Sequence, residues 1–560
     1  MGAILVLVGF VAFLWNPFGV HAAGPLVSAT TGDHVGKALS CGVSQWLGIR
    51  YAAPPLGELR FQPPVDPLPA TGPHYAYEHG PICLATGTLP MEKTMANFSE
   101  DCLFLDVYAP SNAHRQSKLP VFVYIQGGGF NSNSHPRLNG TGLVKASDMG
   151  IVVVTFNYRV GPFGFLVDNH KLTANNGLRD QRQALKWVQK NIAQFGGDPG
   201  HVVLGGASAG ASSIAWHLTA YRGYDQGLFH AAVGESAAWG HVLTTKQARY
   251  QFDDLVVRIG CVRNSSEATL TCLRNKPYGE IQMHGFGTPY PGQSLGPLFM
   301  WGPVIDYDMF YLPLIEAFGQ GKFLKVPVMW GDDTNGGSIF ISPFTSTVAH
   351  SNRWMRSQYP YLTIRKLSLL NNAWKNTIKE QARCPARDCW REQLRQVFGD
   401  MRYMCPSIYM SATFPDHGFN KSWNYRWNVE DPDQITAGVG VPHITEISAL
   451  FGPEFVPAPY IRVPKTYRQG EINEKAVHVM QKYWISFIRK YDPNTERAEG
   501  SAQWEKLDKK KLRRLRFDTG GLTEMEYVGS ELARRCALLF NKVYPRKIGT
   551  AMTEPRGMEE

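Results

Sequence analysis

Two short apolar runs, each broken off by a cluster of small residues, dominate the pattern of this chain. Leu119-Pro-Val-Phe-Val-Tyr-Ile125 runs into Gln126-Gly-Gly-Gly-Phe130, and Val202-Val-Leu204 runs into Gly205-Gly-Ala-Ser-Ala-Gly210. Both runs read as strands. After the second, apolar positions recur at helical spacing, which predicts strand, sharp turn, helix. A Gly-x-Ser-x-Gly core, Gly206 to Gly210, occupies that turn. Small residues at 206 and 210 let a strained turn fit, so that the Oγ of Ser208 stands clear of the backbone at a helix N-terminus, the arrangement of a nucleophile elbow. A mere Gly-Ser loop is the competing reading, and the strand-turn-helix context weighs against it.

Two other patterns mark the ends of the chain. Met1 to Ala22 is an apolar run closing on Val20-His-Ala22, with small residues at the −3 and −1 positions. It reads as a secretory signal peptide, residues 1–22, although it lacks an early Lys or Arg. An anchor helix is the alternative, disfavoured by the interruption at Asn16-Pro17. No later segment approaches the length of a membrane span. Near the other end, Lys509-Lys-Lys-Leu-Arg-Arg-Leu-Arg516 holds much of the basic excess behind the net charge of +10. Leu507, Leu512 and Leu515 interleave with those charges, which predicts a surface segment with one buried face rather than a nucleic-acid site. Attraction to an anionic surface stays open.

At 560 residues the chain is long enough for several domains, yet it has no Pro/Ser-rich linker, composition break or internal repeat. Nine cysteines after a signal peptide suggest disulfides, whose pairing spacing alone leaves open. Asn97, Asn139, Asn264 and Asn420 open glycosylation sequons. Neither a phosphate-binding Gly-x-x-x-x-Gly-Lys loop nor a His-Glu-x-x-His or Cys-x-x-Cys metal motif occurs, so no cofactor and no metal are implied.

The flanks of the serine extend the match. Phe195-Gly-Gly, four residues, Val-Val-Leu and Gly-x-Ser-Ala-Gly form one block, and Glu100-Asp-Cys-Leu-Phe-Leu-Asp-Val-Tyr-Ala-Pro110 forms a second. With Gly48-Ile-Arg-Tyr through Phe61, Asn157-Tyr-Arg-Val-Gly-Pro-Phe-Gly-Phe165 and Asp492-Pro-Asn494, these resemble the type-B carboxylesterase and lipase family, the cholinesterase-like α/β-hydrolases, closest in character to secreted fungal carboxylesterases. The resemblance runs from about residue 25 to 545. It implies one α/β-hydrolase domain over residues 23–545, with a large, mostly parallel central sheet flanked by helices, and leaves 546–560 as a polar tail. It also implies the disulfides Cys83–Cys102, Cys261–Cys272 and Cys405–Cys536. Cys384 and Cys389 are near enough for a local bridge, and Cys41 is left over.

The same resemblance assigns roles. Ser208 is the nucleophile, and the N–H groups of Gly128, Gly129 and Ala209 are the oxyanion donors, because glycines let a backbone approach the developing charge. His443 is the base. It lies in Gly440-Val-Pro-His-Ile-Thr-Glu-Ile447, well downstream of the serine as the Ser, acid, His order requires. The acid departs from the pattern. The family segment reads Gly, three residues, Asp or Asn, Glu, Gly. After Val326-Pro-Val-Met-Trp330 this chain reads Gly331-Asp-Asp-Thr-Asn-Gly-Gly-Ser338, so Gly336 stands where the glutamate belongs. Asp332, Asp333 and Glu446 are the nearest carboxylates in sequence that could serve instead, with Asp333 and Glu446 the leading candidates. A second departure is Ala207, where many relatives carry Glu, which makes the pocket less negative. The loop between Cys83 and Cys102 has 18 residues and no Trp. That argues against choline esters and against a lipase lid, and for small or medium organic esters.

Three functions fit. The first is a secreted serine carboxylesterase working through an acyl-enzyme. The second is a diverged enzyme of secondary metabolism using the scaffold for acyl transfer, lactonisation, elimination or cyclisation. The third is a non-catalytic cholinesterase-like binding protein, which retention of Ser208, His443 and the glycine triplet argues against. The expected partner is a small-molecule ester or metabolite, with no nucleic acid, no integral membrane span and an open oligomeric state.

Overall fold

The computed structural model describes residues 24–86, 97–168, 171–375, 386–456, 463–508 and 510–544. The signal peptide expected at 1–22, the tail at 546–560 and Cys384 of the expected local bridge lie outside the described residues.

An eleven-stranded sheet organises the chain. In chain order its strands are β1 (Lys37–Ala38), β2 (Val43–Arg50), β3 (Phe104–Pro110), β4 (Leu119–Ile125), β5 (Val152–Phe156), β6 (Gly197–Ala207), β7 (Ala231–Glu235), β8 (Val328–Asp333), β9 (Ser422–Asn428), β10 (Arg513–Asp518) and β11 (Leu522–Tyr527). Their spatial order is β11-β10-β9-β8-β7-β6-β4-β5-β3-β2-β1. Every pairing from β10 to β5 is parallel. The edges are antiparallel, β5 with β3, β3 with β2 and β2 with β1 on one side and β10 with β11 on the other. The sheet is thus mostly parallel, as the resemblance implies.

A parallel sheet covered on both faces needs strands that are apolar on both faces, which is why β4 and the Val202–Leu204 part of β6 read as apolar runs. Along β4, Val121, Val123 and Ile125 point into one core, while Phe122 and Tyr124 point into the other. Val202 and Leu204 of β6 join the first core and Val203 the second. Helices α1 (Asn176–Asn191) and α2 (Ala209–Thr219) close the first face with Leu185, Val188, Ile214 and Trp216. Helix α3 (Glu474–Lys490) closes the second with Val477, Met480, Trp484 and Phe487.

The signature residues outside the site serve the scaffold. Glu100 pairs with Arg60, Asp101 with Arg50 at 2.6 Å, and Asp180 with Arg159 at 2.7 Å. Asn494 donates to the carbonyl of Trp504 at 3.0 Å, closing the turn after α3. Disulfides join Cys83 to Cys102, Cys261 to Cys272 and Cys405 to Cys536. The end of the basic segment, from Arg513, lies in strand β10. Its Leu515 is fully buried, and Arg513, Arg514 and Arg516 pair with Glu505, Glu526 and Asp518. Those arginines hold the edge of the sheet together, so the charge run has a structural use. No helix among the described residues is long and apolar enough to cross a membrane.

Candidate active site

Strand β6 ends at Ala207 and α2 begins at Ala209, so Ser208 alone makes the turn. Its backbone sits at φ 56°, ψ −118°, a conformation that a side chain strongly disfavours and that only surrounding structure sustains. Three contacts hold it. The Ser208 N–H donates to the carbonyl of Glu235 at 2.8 Å, the Ser208 carbonyl accepts from Ser212 N at 2.9 Å, and Ala238 N approaches that carbonyl at 3.4 Å. The glycines of the elbow are there for closeness. A Cβ on Gly210 would lie 2.0 Å from the carbonyl oxygen of Ile125, and one on Gly206 would lie 2.8 Å from it. The turn therefore packs directly on the end of β4.

The glycine loop after β4 faces this turn. A Cβ on Gly127 would stand 2.9 Å from the Cβ of Ser208. Gly128 and Gly129 have φ of 115° and 61°, in the left-handed region that favours glycine. The carbonyls of the loop are engaged. Gly128 accepts from Asn131 N and Ser132 N at 3.0 and 2.9 Å, and Gly129 accepts from Asn131 Nδ2 at 2.6 Å. Gln126 is locked by Asn157 at 3.0 Å and by His135 N at 3.1 Å. Anchored through its carbonyls, the loop lies against the Ser208 turn, where the N-terminus of α2 adds a positive dipole end.

His443 lies on a different construction. Its loop is tied to the end of β8 by Asn335, which donates through its N–H to Val441 O at 2.9 Å and accepts from Val441 N at 3.0 Å. Asp333 Oδ2 accepts from the N–H of Ile444 at 2.7 Å and from Ser236 Oγ at 3.0 Å. The carboxylate thus grips the backbone beside His443. It does not reach the ring, because neither ring nitrogen of His443 has a hydrogen-bond partner. The imidazole is 6 % exposed and Ser208 7 %. Tyr403 lies against the ring at 4.3 Å between centroids, and Phe340 at 5.4 Å. Burial, helped by the nearby charges of Arg402 and His135, holds the His443 pKa down to about 3. The neutral imidazole is therefore favoured, and no carboxylate is hydrogen-bonded to the ring.

The candidate acids are buried together. Asp333 and Glu446 lie near enough for the charge of one to act on the other. Burial first, then the charge of Glu446, pushes Asp333 well above the usual carboxylate range. Burial raises Glu446 as well, against the hydroxyl of Tyr425 that donates to it at 3.2 Å. Asp332, the third sequence candidate, is also buried and pushed far up by burial. Gly336 lies where the triad glutamate was expected. No φ in the left-handed range constrains it, and the nearest atoms to an added Cβ are Asp333 O and Tyr403 Cδ2, both at 3.6 Å. It borders a cavity of about 310 Å³ shared with Tyr403, Arg395 and Asp400. The glutamate is missing from a place that has room for one.

Four participants escaped sequence reading. Glu235, fully buried at the end of β7, holds the elbow through its carbonyl, while its carboxylate accepts from Tyr124 at 3.0 Å and Trp484 at 2.8 Å. Ser236 and Tyr403 flank Asp333 and His443. Arg402 sits beside Tyr403 in the π-helical turn Asp400–Met404. None belongs to a local motif. The π-turn is the only sign, and it is visible only in three dimensions. Of the sequons, Asn97, Asn264 and Asn420 are exposed, whereas Asn139 is half-buried and its Oδ1 accepts from Thr141 N at 2.9 Å.

Comparison with known proteins agrees with this architecture. The model of the carboxylesterase family matches residues 23–532. Carboxylesterase 1E of Mus musculus is 29 % identical over 543 residues, covering 90 % of this chain and 92 % of that protein. The medium-chain fatty acyl-CoA hydrolase precursor of Anas platyrhynchos is 30 % identical over 494 residues, 83 % of each chain. The crystal structure of Aspergillus niger EstA superposes with a TM-score of 0.87 at 38 % identity, covering 94 % of this chain and 100 % of that one.

Proposed function

The chain belongs to the carboxylesterase family and is a carboxylesterase-type serine hydrolase of α/β-hydrolase fold, and from that premise we propose that it hydrolyses small or medium organic esters through an acyl-enzyme on Ser208. The observation that carries this is the contact between the strained Ser208 turn and the Gly127–Gly129 loop. Ser208 Oγ attacks the ester carbonyl carbon, and His443 takes the hydroxyl proton. The carbonyl oxygen becomes an oxyanion at the N–H groups of Gly128, Gly129 and Ala209. Collapse expels the alcohol, which leaves with the proton from His443. Water then repeats the sequence, giving the acid and free Ser208. Each oxyanion donor is worth about 3–4 kcal/mol of barrier. Asp333 acts by holding the His443 loop through Ile444 N rather than by pairing with the ring. Entry into the secretory pathway is part of the reading, supported by the three disulfides and by sequons on exposed Asn97, Asn264 and Asn420.

A fluorophosphonate probe tests the reading. Mass spectrometry should place the label on Ser208 and find none in Ser208→Ala. A label elsewhere removes Ser208 as nucleophile. The unpaired imidazole and Gly336 favour one second reading, acyl transfer or intramolecular cyclisation on the same scaffold, because those reactions use the oxyanion hole more than a full triad. Product analysis separates the two: an acid and an alcohol in equal amounts support hydrolysis, and a transferred or ring-closed acyl group supports the alternative.

A further inference from the structure

A cavity of about 130 Å³ adjoins the oxyanion loop, with Gly129, Ala238, Trp239, Phe299, Tyr290 and Arg402 in its wall. That volume is close to the roughly 150 Å³ that accommodates one benzene in an apolar protein cavity, so it suits a substituent of about that size. Its wall is mostly apolar and aromatic, with His241, Gln251, Gln358 and Arg402 as polar members, and Arg402 carries the fixed charge. Arg402 is 7 % exposed, and no carboxylate pairs with its guanidinium among the described residues. The tyrosines Tyr359 and Tyr403 face it. Three rings surround it, Phe299 at 5.3 Å, Phe398 at 5.7 Å and Tyr403 at 5.9 Å from the guanidinium carbon. Its Nε has no acceptor. Ring faces and hydroxyls soften the desolvation of a cation but do not neutralise it, and a buried charge is normally paired or hydrogen-bonded to a counter-charge.

The placement matters for chemistry. Phe299 packs on Gly129, with a ring carbon 2.2 Å from where a Cβ would be, so the cation lies behind the wall of the oxyanion hole. Tyr403, the next residue, lies against His443. An anion bound to Arg402 would offset the positive charge that opposes imidazolium formation, in a site whose own carboxylate is replaced by Gly336. Local π-helical turns such as Asp400–Met404 recur at functional positions.

We propose that this cavity receives a carboxylate carried by the ester substrate, and that Arg402 is the residue that binds it. The preferred substrates are then half-esters of dicarboxylic acids, or esters whose alcohol part bears a carboxylate. This rests on the esterase reading of Ser208 and names the substrate class of that same site. Charge-assisted pairing with a guanidinium is directional and strong when desolvated, so the neutral isostere should be served less well.

The experiment compares kcat/KM within isosteric pairs. On the acyl side, mono-p-nitrophenyl glutarate is set against its methyl ester. On the alcohol side, 4-(butyryloxy)benzoate is set against its methyl ester. We expect the wild type to favour the anion at least tenfold in one pair, and that pair identifies which half of the ester enters the cavity. Arg402→Met should bring the ratio to one or below, and Arg402→Lys should restore part of it. A wild-type ratio of one or below in both pairs overturns the proposal, as does a ratio that Arg402→Met leaves unchanged. If Arg402→Met does not fold, the wild-type ratios decide. An enzyme that labels at Ser208 and turns over the methyl esters, yet ignores the carboxylate, sinks the Arg402 assignment alone. Absence of both labelling and turnover sinks the esterase reading and this proposal together.

Discussion

Two glycines show how differently the halves of this site are built. At Gly127 an added methyl would meet Ala207 O at 2.8 Å and the Cβ of Ser208 at 2.9 Å. At Gly336 nothing lies within 3.6 Å of the same methyl. The nucleophile half, β4 and its loop against the elbow, is assembled from backbone groups in contact and tolerates no extra atom. The base half, the end of β8 against the His443 loop, has clamped backbones but a ring without partners and a space where a side chain was expected. In the proposed mechanism, oxyanion stabilisation draws on the first half and tuning of the base on the second. The two halves share one support, the end of β7, where Glu235 O holds the elbow and Ser236 Oγ holds Asp333, but position 336 lies outside it and can change while the first half is kept.

The largest expected effects lie in the first half. Ser208→Ala should lower turnover of p-nitrophenyl butyrate by at least about a thousandfold, in keeping with loss of the nucleophile in serine hydrolases. Circular dichroism should show an unchanged fold. Retention of a tenth of wild-type turnover would remove Ser208 from the mechanism. Gly127→Ala should come next, at roughly a hundredfold in kcat, because a methyl there shifts the donors of Gly128 and Gly129 and one misplaced donor alone is worth about 10²–10³. A Gly127→Ala enzyme with normal kcat would mean that the loop does not set the oxyanion geometry.

The same division explains what could be read beforehand. The nucleophile half is written in consecutive residues. An apolar run, a glycine cluster and the Gly206–Gly210 motif specify strand, loop and turn locally, and β4 and α2 lie where the pattern puts them. The base half depends on pairs far apart in sequence. Asp333 meets Ile444 across 111 positions and Ser236 across 97. No periodicity encodes such meetings, so the sequence nominated Asp333 and Glu446 as acids for the ring without revealing that Asp333 grips the backbone of Ile444 and that Glu446 accepts from Tyr425 instead. Arg402 was invisible for the same reason, since its significance comes from the cavity around it. The loss of glutamate at position 336 was legible, but whether the space had closed over it was not.

Gly336→Glu sharpens the contrast from the other side. The position accepts a side chain, and a missing acid typically costs about 10⁴ in turnover in serine proteases, so esterase kcat should rise at least tenfold. Gly336→Ala, which adds bulk without charge, should change kcat less than twofold, roughly the scale of a harmless surface change. Asp333→Asn is the companion variant. If it abolishes turnover while Gly336→Glu adds nothing, Asp333 is a relocated acid and the base half is complete. If Gly336→Glu raises KM alone, the introduced carboxylate obstructs the substrate.

The smallest effect is the most diagnostic, because it reads His443 directly. Burial and the charges of Arg402 and His135 depress its pKa from the ordinary 6.5 to about 3. A base must be neutral, so kcat/KM should have no acidic limb between about pH 5 and 7, where an unperturbed histidine would produce one. A new carboxylate at position 336 would favour the imidazolium and raise that pKa, which moves the acidic limb of Gly336→Glu to higher pH than in the wild type. Stability carries the same sign. A histidine held neutral in the fold but ionising at 6.5 when unfolded makes folding less favourable as the pH drops from 6.5 towards 3, and His443→Gln should blunt that loss in acid melts. An acidic limb near pH 6.5 in the wild type would show that His443 already has an anionic partner. The imidazole would then be paired in solution, and the separation between the two halves of the site would not hold.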